Sequence, residues 1–352
     1  MENTQSDIDF IMTDLLPEMV YNRCFCDPNS REFVEFESAN IHQSKKNNIN
    51  SIRKLYKGQV IVQFSGEPKV FSVIIKLLPN DQSPSNYNDD IYGYFLNEEM
   101  FYNKIIKKYK LDIYPKCFVA DMGKYGRPVI VLEDLESFGY HNIHEDDDKL
   151  DEDHLNLLVK SIAKFHGRGM KIKRDEFNDF REFYAKLVTP VSNDDYIKTI
   201  NKAFNDLKDN LTTDLAQKWY NKIENTSLIM DHQFNKFITI CHGCFNKEHW
   251  LFKYDNNNKP IDIKILGWNN MIYTNVIYDL KFILEKFSDN LNFNKIHDIF
   301  HEYFCNIIIE YNEQSNEKLY REFLLTYYYP NIILNNKTRE NEIEIIKLLD
   351  KL

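Results

Sequence analysis

A basic excess is the first thing this chain lacks. Its 352 residues carry 44 Lys and Arg against 54 Asp and Glu, a formal net charge of −10. Nucleic-acid binding draws affinity from cations that displace phosphate counterions, so no general nucleic-acid partner is expected. Basic residues concentrate only locally, as from Lys104 to Lys110. Glycine is scarce as well. The ten glycines form neither a Walker A loop nor a dinucleotide fingerprint, so the phosphates of any bound nucleotide would be held another way. No run approaches the roughly eighteen apolar residues that suggest a membrane span. Met1 to Asp7 is polar and acidic, without the basic start and apolar stretch of a signal peptide. The six cysteines are spread at low density, which points to reduced thiols in a cytoplasmic protein. Internal repeats and low-complexity linkers are missing too.

What remains is a folding composition: 43% apolar, 28% charged and 14% aromatic residues, enough to build a substantial core. The length exceeds one simple core and suggests two lobes. Ile8, Phe10, Ile11, Leu15, Leu16 and Met19 predict an amphipathic helix over 8–25. Alternation and β-branching predict strands at 58–64 and 70–77, joined by a turn at Ser65-Gly66-Glu67-Pro68. A loop is expected over 79–88, a helix over 92–109 and strands at 117–121 and 129–133. The acidic run Glu145 to Asp148 reads as a solvated loop before a helix over 151–170. More helix is expected from 175 to 230, broken at Pro190. Three short strands follow at 236–241, 249–254 and 261–266, and the rest from 276 is mostly helical. The expected fold class is α+β, with an antiparallel-sheet N-terminal lobe (1–132), a hinge (133–140) and a helical C-terminal lobe (141–352).

Several residues invite chemistry. Lys76 ends the strand Phe71 to Lys76, and Glu98 sits on the next helix. In protein-kinase-like folds a strand Lys contacts nucleotide phosphates and pairs with a helix Glu. A strand ending in Lys is common, however, and the pair alone decides nothing. Val129 to Leu135 is a buried strand entering a polar turn. Cys241, His242, Cys244 and His249 could be imagined as zinc ligands, but on a strand and turn they need not converge. Cys241 and Cys244 have redox-pair spacing, yet such pairs normally open a helix, whereas these follow a predicted strand.

An ordered set of short segments resembles the ecdysteroid kinase-like family, also called CHK kinase-like, a relative of choline kinases and aminoglycoside phosphotransferases. The segments are Val73 to Pro79, Phe95-x-x-Glu98-x-x-Phe101-Tyr102, Val131 to Leu135, Ser161 to His166, His242-Gly243, Leu251 to Asp255 and Tyr278-Asp279-Leu280. They cover roughly residues 40 to 310. The resemblance implies a bilobal protein-kinase-like fold and descent from ATP- and Mg²⁺-dependent phosphorylation of a hydroxyl on a small lipophilic molecule. It places Lys76 and Glu98 at the nucleotide phosphates and Glu133, Asp134 and Leu135 in the adenine hinge. It makes His166 and Asp279 structural.

The departures from the family pattern bear on catalysis. The family's catalytic Asp after His-Gly is Cys244 here, and a thiol is a poor substitute for a carboxylate that accepts the hydroxyl proton. The metal-binding Asn is His249, preceded by Glu248. The Asp of the family's Asp-Phe-Gln triplet is Gly267, in Gly267-Trp268-Asn269. Mg²⁺ wants hard oxygen ligands, and glycine offers no side chain. The phosphate-covering loop reads Lys45 to Ser51 without glycine. Trp268 is expected to fill part of the vacated metal and phosphate region. The resulting expectation is a catalytically impaired pseudokinase that binds a small lipophilic ligand or a protein partner. The alternative is an atypical kinase with a rearranged metal site using Glu248 and His249, with Asp262 or Asn269.

Overall fold

The computed structural model describes residues 2–44, 54–78, 89–143, 150–188, 236–287 and 293–312, with isolated positions at 314, 319, 320 and 323. The Lys45 to Ser51 loop, the expected loop at 79–88, the Glu145 to Asp148 run and most of the expected 175–230 helix lie outside them. So does most of the chain beyond 312.

The chain begins with helix α1 (Glu2–Phe10), which passes through a π-turn (Ile11–Leu15) into α2 (Leu16–Tyr21). Strands β1 (Val34–Gln43), β2 (Lys54–Phe64) and β3 (Pro68–Leu77) follow. Next come α3 (Asp89–Met100), a π-turn (Phe101–Ile105), α4 (Ile106–Tyr109), β4 (Cys117–Asp121), β5 (Val129–Glu133) and β6 (Tyr140–Asn142). The second half holds α5 (Glu152–Asp175), α6 (Phe177–Tyr184), β7 (Ile238–Cys241), β8 (Trp250–Tyr254), β9 (Pro260–Ile265) and β10 (Ile272–Asn275). It continues with α7 (Ile277–Phe287) and α8 (Phe293–Tyr311). The chain divides into two units: Met1–Asp146 with Lys247–Asn269, and Asp147–Asn246 with Asn270–Leu352. The expected α+β class is observed, with an antiparallel sheet in the N-terminal unit and a largely helical second unit.

In the first unit five antiparallel strands run in the order β1-β2-β3-β5-β4. The predicted hairpin pairs as β2 and β3, with Lys76 opposite Leu55 on one side and Ile130 of β5 on the other. One face of the sheet carries Val60, Val62, Val73, Ile75, Val129 and Val131, all buried, and the apolar stripe of α1–α2 covers it through Ile11, Leu15, Met19 and Val20. This is how period-2 and period-3.6 apolar patterns close on one another. The helix is also tied electrostatically. Buried Asp7 accepts from Lys54 Nζ at 2.8 Å, Tyr56 Oη at 2.7 Å and Arg127 Nη1 at 2.7 Å. Burial pushes the Asp7 carboxyl up, but these three donors outweigh it and hold it below its ordinary value. A three-stranded sheet, β6-β8-β9, completes the unit.

In the second unit α5 starts with a capping box between Asp151 and His154, which meets the unsatisfied amides of the first turn. The helix packs against α8 at Gly167. A Cβ there would lie 2.7 Å from the Ile307 carbonyl oxygen, so the close approach requires glycine. Strands β7 and β10 pair antiparallel beside α5.

Three strands, β1, β6 and β10, were not expected. β1 has only one buried residue, Ile41, and a register shift between Phe36 and Ser38, so its apolar alternation is broken. β6 and β10 span three and four residues, too few for a period to show.

Candidate functional site

In the first unit, Lys76 Nζ lies 2.5 Å from Glu98 Oε1. β3 projects the lysine and α3 the glutamate, whose side chain is almost fully buried. Glu98 Oε2 and the hydroxyl of Tyr102, one turn further on, are buried and without hydrogen-bond partners. Burial, and then the charge of Glu98, push the Tyr102 hydroxyl well above its ordinary range, so it remains protonated. The ion pair that sequence alone left undecided is therefore formed.

The hinge residues are drawn into the protein's own contacts. The Glu133 backbone N–H donates to the Lys116 carbonyl at 2.9 Å, and its Oε1 accepts from the Lys116 N–H at 2.6 Å. The Asp134 N–H donates to the Ser72 carbonyl at 2.9 Å. The Asp134 carboxylate caps the turn Leu135–Phe138 through the Glu136 N–H at 3.2 Å and pairs with Lys57 at 2.9 Å. Leu135 is buried.

The segment Gly267-Trp268-Asn269 is held firmly. Trp268 is completely buried and stacks on Phe101, with ring centroids 4.2 Å apart and planes 7° apart. Its Nε1–H donates to the Ile265 carbonyl at 2.9 Å. The Asn269 carbonyl accepts from Asn97 Nδ2 of α3 at 2.9 Å. Trp268 is thus a core residue packed on Phe101 of the π-turn that follows α3. A flat ring with one N–H is most stable where its apolar faces are covered and its donor is satisfied.

The imidazole of His249 lies directly against Gly267. Gly267 is buried with φ of +77°, and a Cβ built there would lie 2.1 Å from His249 Cδ2 and 2.3 Å from Nε2. The backbone draws the two together, because the Leu266 N–H donates to the His249 carbonyl at 2.9 Å. Glu248 is exposed, in the short turn Lys247–His249, and its carbonyl accepts from Asn142 Nδ2. Asp262 Oδ2 accepts from the Tyr140 hydroxyl at 2.5 Å, and the Asn269 side chain belongs to a buried residue. The two positions where the resemblance places metal ligands therefore offer one imidazole and no carboxylate. They do not fit Mg²⁺, which takes near-octahedral oxygen coordination.

The second unit carries the His242-Gly243-Cys244 turn. Fully buried Asp279, from the first turn of α7, accepts from the His242 N–H at 2.6 Å, the Gly243 N–H at 2.9 Å and His166 Nε2 at 2.9 Å. His166 Nδ1 meets the Tyr303 hydroxyl at 2.5 Å. Burial pushes the Asp279 carboxyl up, yet His166 and the backbone amides hold it below its ordinary value, so it is ionised. His166 and Asp279 are structural, as the resemblance implied. Tyr303 had escaped notice because it lies 137 residues from its partner. Gly243 has φ of +84°, and a Cβ would strike the Asn270 carbonyl oxygen at 1.8 Å. The half-buried Cys244 sulfur accepts from Asn246 Nδ2 at 3.4 Å.

The imagined zinc set does not assemble as such. In this unit the side chains that gather are His166, Cys241 and Asp279, with potential ligand atoms within 4.8 Å of one another. Cys241 Sγ faces the carbonyls of Thr274 and Asn275. Burial, with Asp279 beside it, pushes its thiol well above the ordinary range. A protonated thiol, a carboxylate with three donors and an imidazole bonded at both nitrogens make a hydrogen-bonded core. Cys241 and Cys244 are free thiols.

This arrangement sits within a known family: the ecdysteroid kinase-like family matches residues 54–314. The chain belongs to that family. Among curated proteins none matches. Solved structures with similarity include the GDP complex of a mutant aminoglycoside 2'-phosphotransferase-IIIa. It is 13% identical, with a TM-score of 0.43, over 99% of this chain and 97% of that one. The type VIII aminoglycoside-3'-phosphotransferase is 10% identical, with a TM-score of 0.38, over 81% of this chain and 92% of that one. The assignment rests on the family match. Among the described residues of this ecdysteroid kinase-like protein, no helix is long and apolar enough to cross a membrane.

Proposed function

We propose that this ecdysteroid kinase-like protein is a pseudokinase that works by binding a small lipophilic ligand or a protein partner. The observation that carries the reading is the chemistry at Cys244, His249 and Gly267. General-base help is worth about 10²–10⁴ in rate, and a thiol that accepts a weak hydrogen bond from Asn246 is no replacement. Phosphoryl transfer otherwise depends on metal ions that neutralise charge and fix geometry. The positions that would hold them supply a histidine ring and a bare backbone. Lys76 and Glu98 remain paired, which supports retention of an anion-contacting lysine. Nucleotide, where it binds, then does so weakly or without metal.

The test is phosphotransfer from ATP with Mg²⁺ over a panel of sterol and amino alcohols, with Lys76→Met as control. The expected rate equals the control's. Magnesium-dependent turnover that Lys76→Met abolishes would overturn the proposal. It would favour the second reading, an atypical kinase whose metal is recruited by Glu248, the exposed carboxylate beside His249. In that case Glu248→Ala removes both turnover and the thermal shift produced by ATP and Mg²⁺.

A further inference from the structure

We propose that His249 and Gly267 form a single steric unit that closes the former metal position, so that neither can return to a ligand-bearing residue alone. The inference deepens the pseudokinase reading and rests on it only for naming these two positions as metal positions.

The argument is one of volume and backbone. A Cβ on residue 267 would lie 2.1 Å from His249 Cδ2, 2.3 Å from Nε2 and 3.0 Å from Cγ. All three atoms belong to the His249 ring, so the ring has to swing away before a side chain fits at 267. The backbone that carries the ring is held in place. The His249 carbonyl accepts from the Leu266 N–H at 2.9 Å, and Trp250, the next residue, is fully buried. On the other side Trp268 is locked against Phe101 and Ile265, so the backbone at 267 cannot retreat. Residue 267 also has φ of +77°, a conformation that disfavours any side chain. An aspartate at 267 therefore meets both an unfavourable φ and an occupied volume. An asparagine at 249 vacates the volume but finds no carboxylate opposite. The position is closed from both sides, and divalent cations are excluded from it.

Two cycles test this on the full chain. The first compares Gly267→Ala in the wild-type and His249→Ala backgrounds by thermal unfolding. In the wild type the substitution is expected to lower Tm by about 5 °C, from strain and clash together. With the ring removed, the loss falls to about half, the remainder being the cost of positive φ. Equal losses in both backgrounds overturn the proposal, because they mean that the ring moves aside freely. The second cycle follows Mn²⁺, alone and with ADP, by electron paramagnetic resonance in wild type, G267D, H249N and H249N/G267D. Only the double variant is expected to take up the ion, about tenfold or more tighter than the others. Uptake by the wild type equal to that of the double variant overturns the proposal. If G267D does not fold, the alanine cycle still decides. Catalytic turnover by the wild type would sink the functional reading without touching the alanine cycle, whereas additive losses sink the coupling and leave that reading standing.

Discussion

Two turns of this protein lie where the resemblance places kinase motifs, and they can be compared for what holds their backbones and what their side chains offer. At His242-Gly243, Asp279 gathers two backbone amides and His166, and Tyr303 closes the chain of hydrogen bonds. At Gly267-Trp268-Asn269 the backbone is held equally well, by Phe101, Ile265 and Asn97. Scaffolding survives at both. Where the resemblance places acidic groups, a thiol stands at Cys244 and a histidine ring lies over Gly267. Supporting residues are costly to lose, because an orphaned buried polar group destabilises the whole fold. Reacting residues carry no such stabilising duty, so they can be lost without unfolding the protein.

The comparison would break if the supporting groups proved dispensable, and the largest expected effect lies there. Asp279→Ala removes three acceptor contacts at once and should cost about 3–5 kcal/mol in urea unfolding. A loss below about 1 kcal/mol would mean that the network is incidental. Lys76→Met leaves the buried Glu98 carboxylate uncompensated and should cost about 2–4 kcal/mol, with Glu98→Gln in the same background recovering much of it.

A pH series sharpens the same point. Asp279 and Asp7 are both held below their ordinary values when folded. Each contributes stability that is complete above the unfolded carboxyl value of about 3.9 and disappears as pH falls through the lower folded value. Unfolding midpoints measured from pH 6 to 2.5 should therefore fall in acid, and less steeply in Asp279→Asn. The smallest effect is expected at Cys244, where the resemblance places the catalytic base. Cys244→Ser should change stability by no more than about 0.5 kcal/mol.

Much of the fold could be read from the residues. The β2–β3 hairpin and the helix that carries His166 follow from apolar period, and the strand at 129–133 from a continuous apolar run buried on both faces. The ion pair of Lys76 with Glu98 could only be suggested, since it depends on β3 and α3 meeting. The packing of Trp268 is hidden for the same reason, because its stacking partner Phe101 lies more than 160 positions earlier. The closure of His249 over Gly267 left no pattern in the sequence, because it arises from how β8 and β9 pair and not from spacing along the chain.

The α1 carboxylate at Asp7 has a practical consequence for anyone cutting the protein down. The family match begins at residue 54, well after that helix. A fragment trimmed to 54–314 would strip the apolar cover from one face of the five-stranded sheet. It would also strand the Arg127 guanidinium, which is 5% exposed, without its counter-charge. Such a fragment should be insoluble or molten, whereas one starting at residue 2 should behave as the whole chain does. The first helix is then part of the folding unit, although it lies outside the stretch by which the family is recognised.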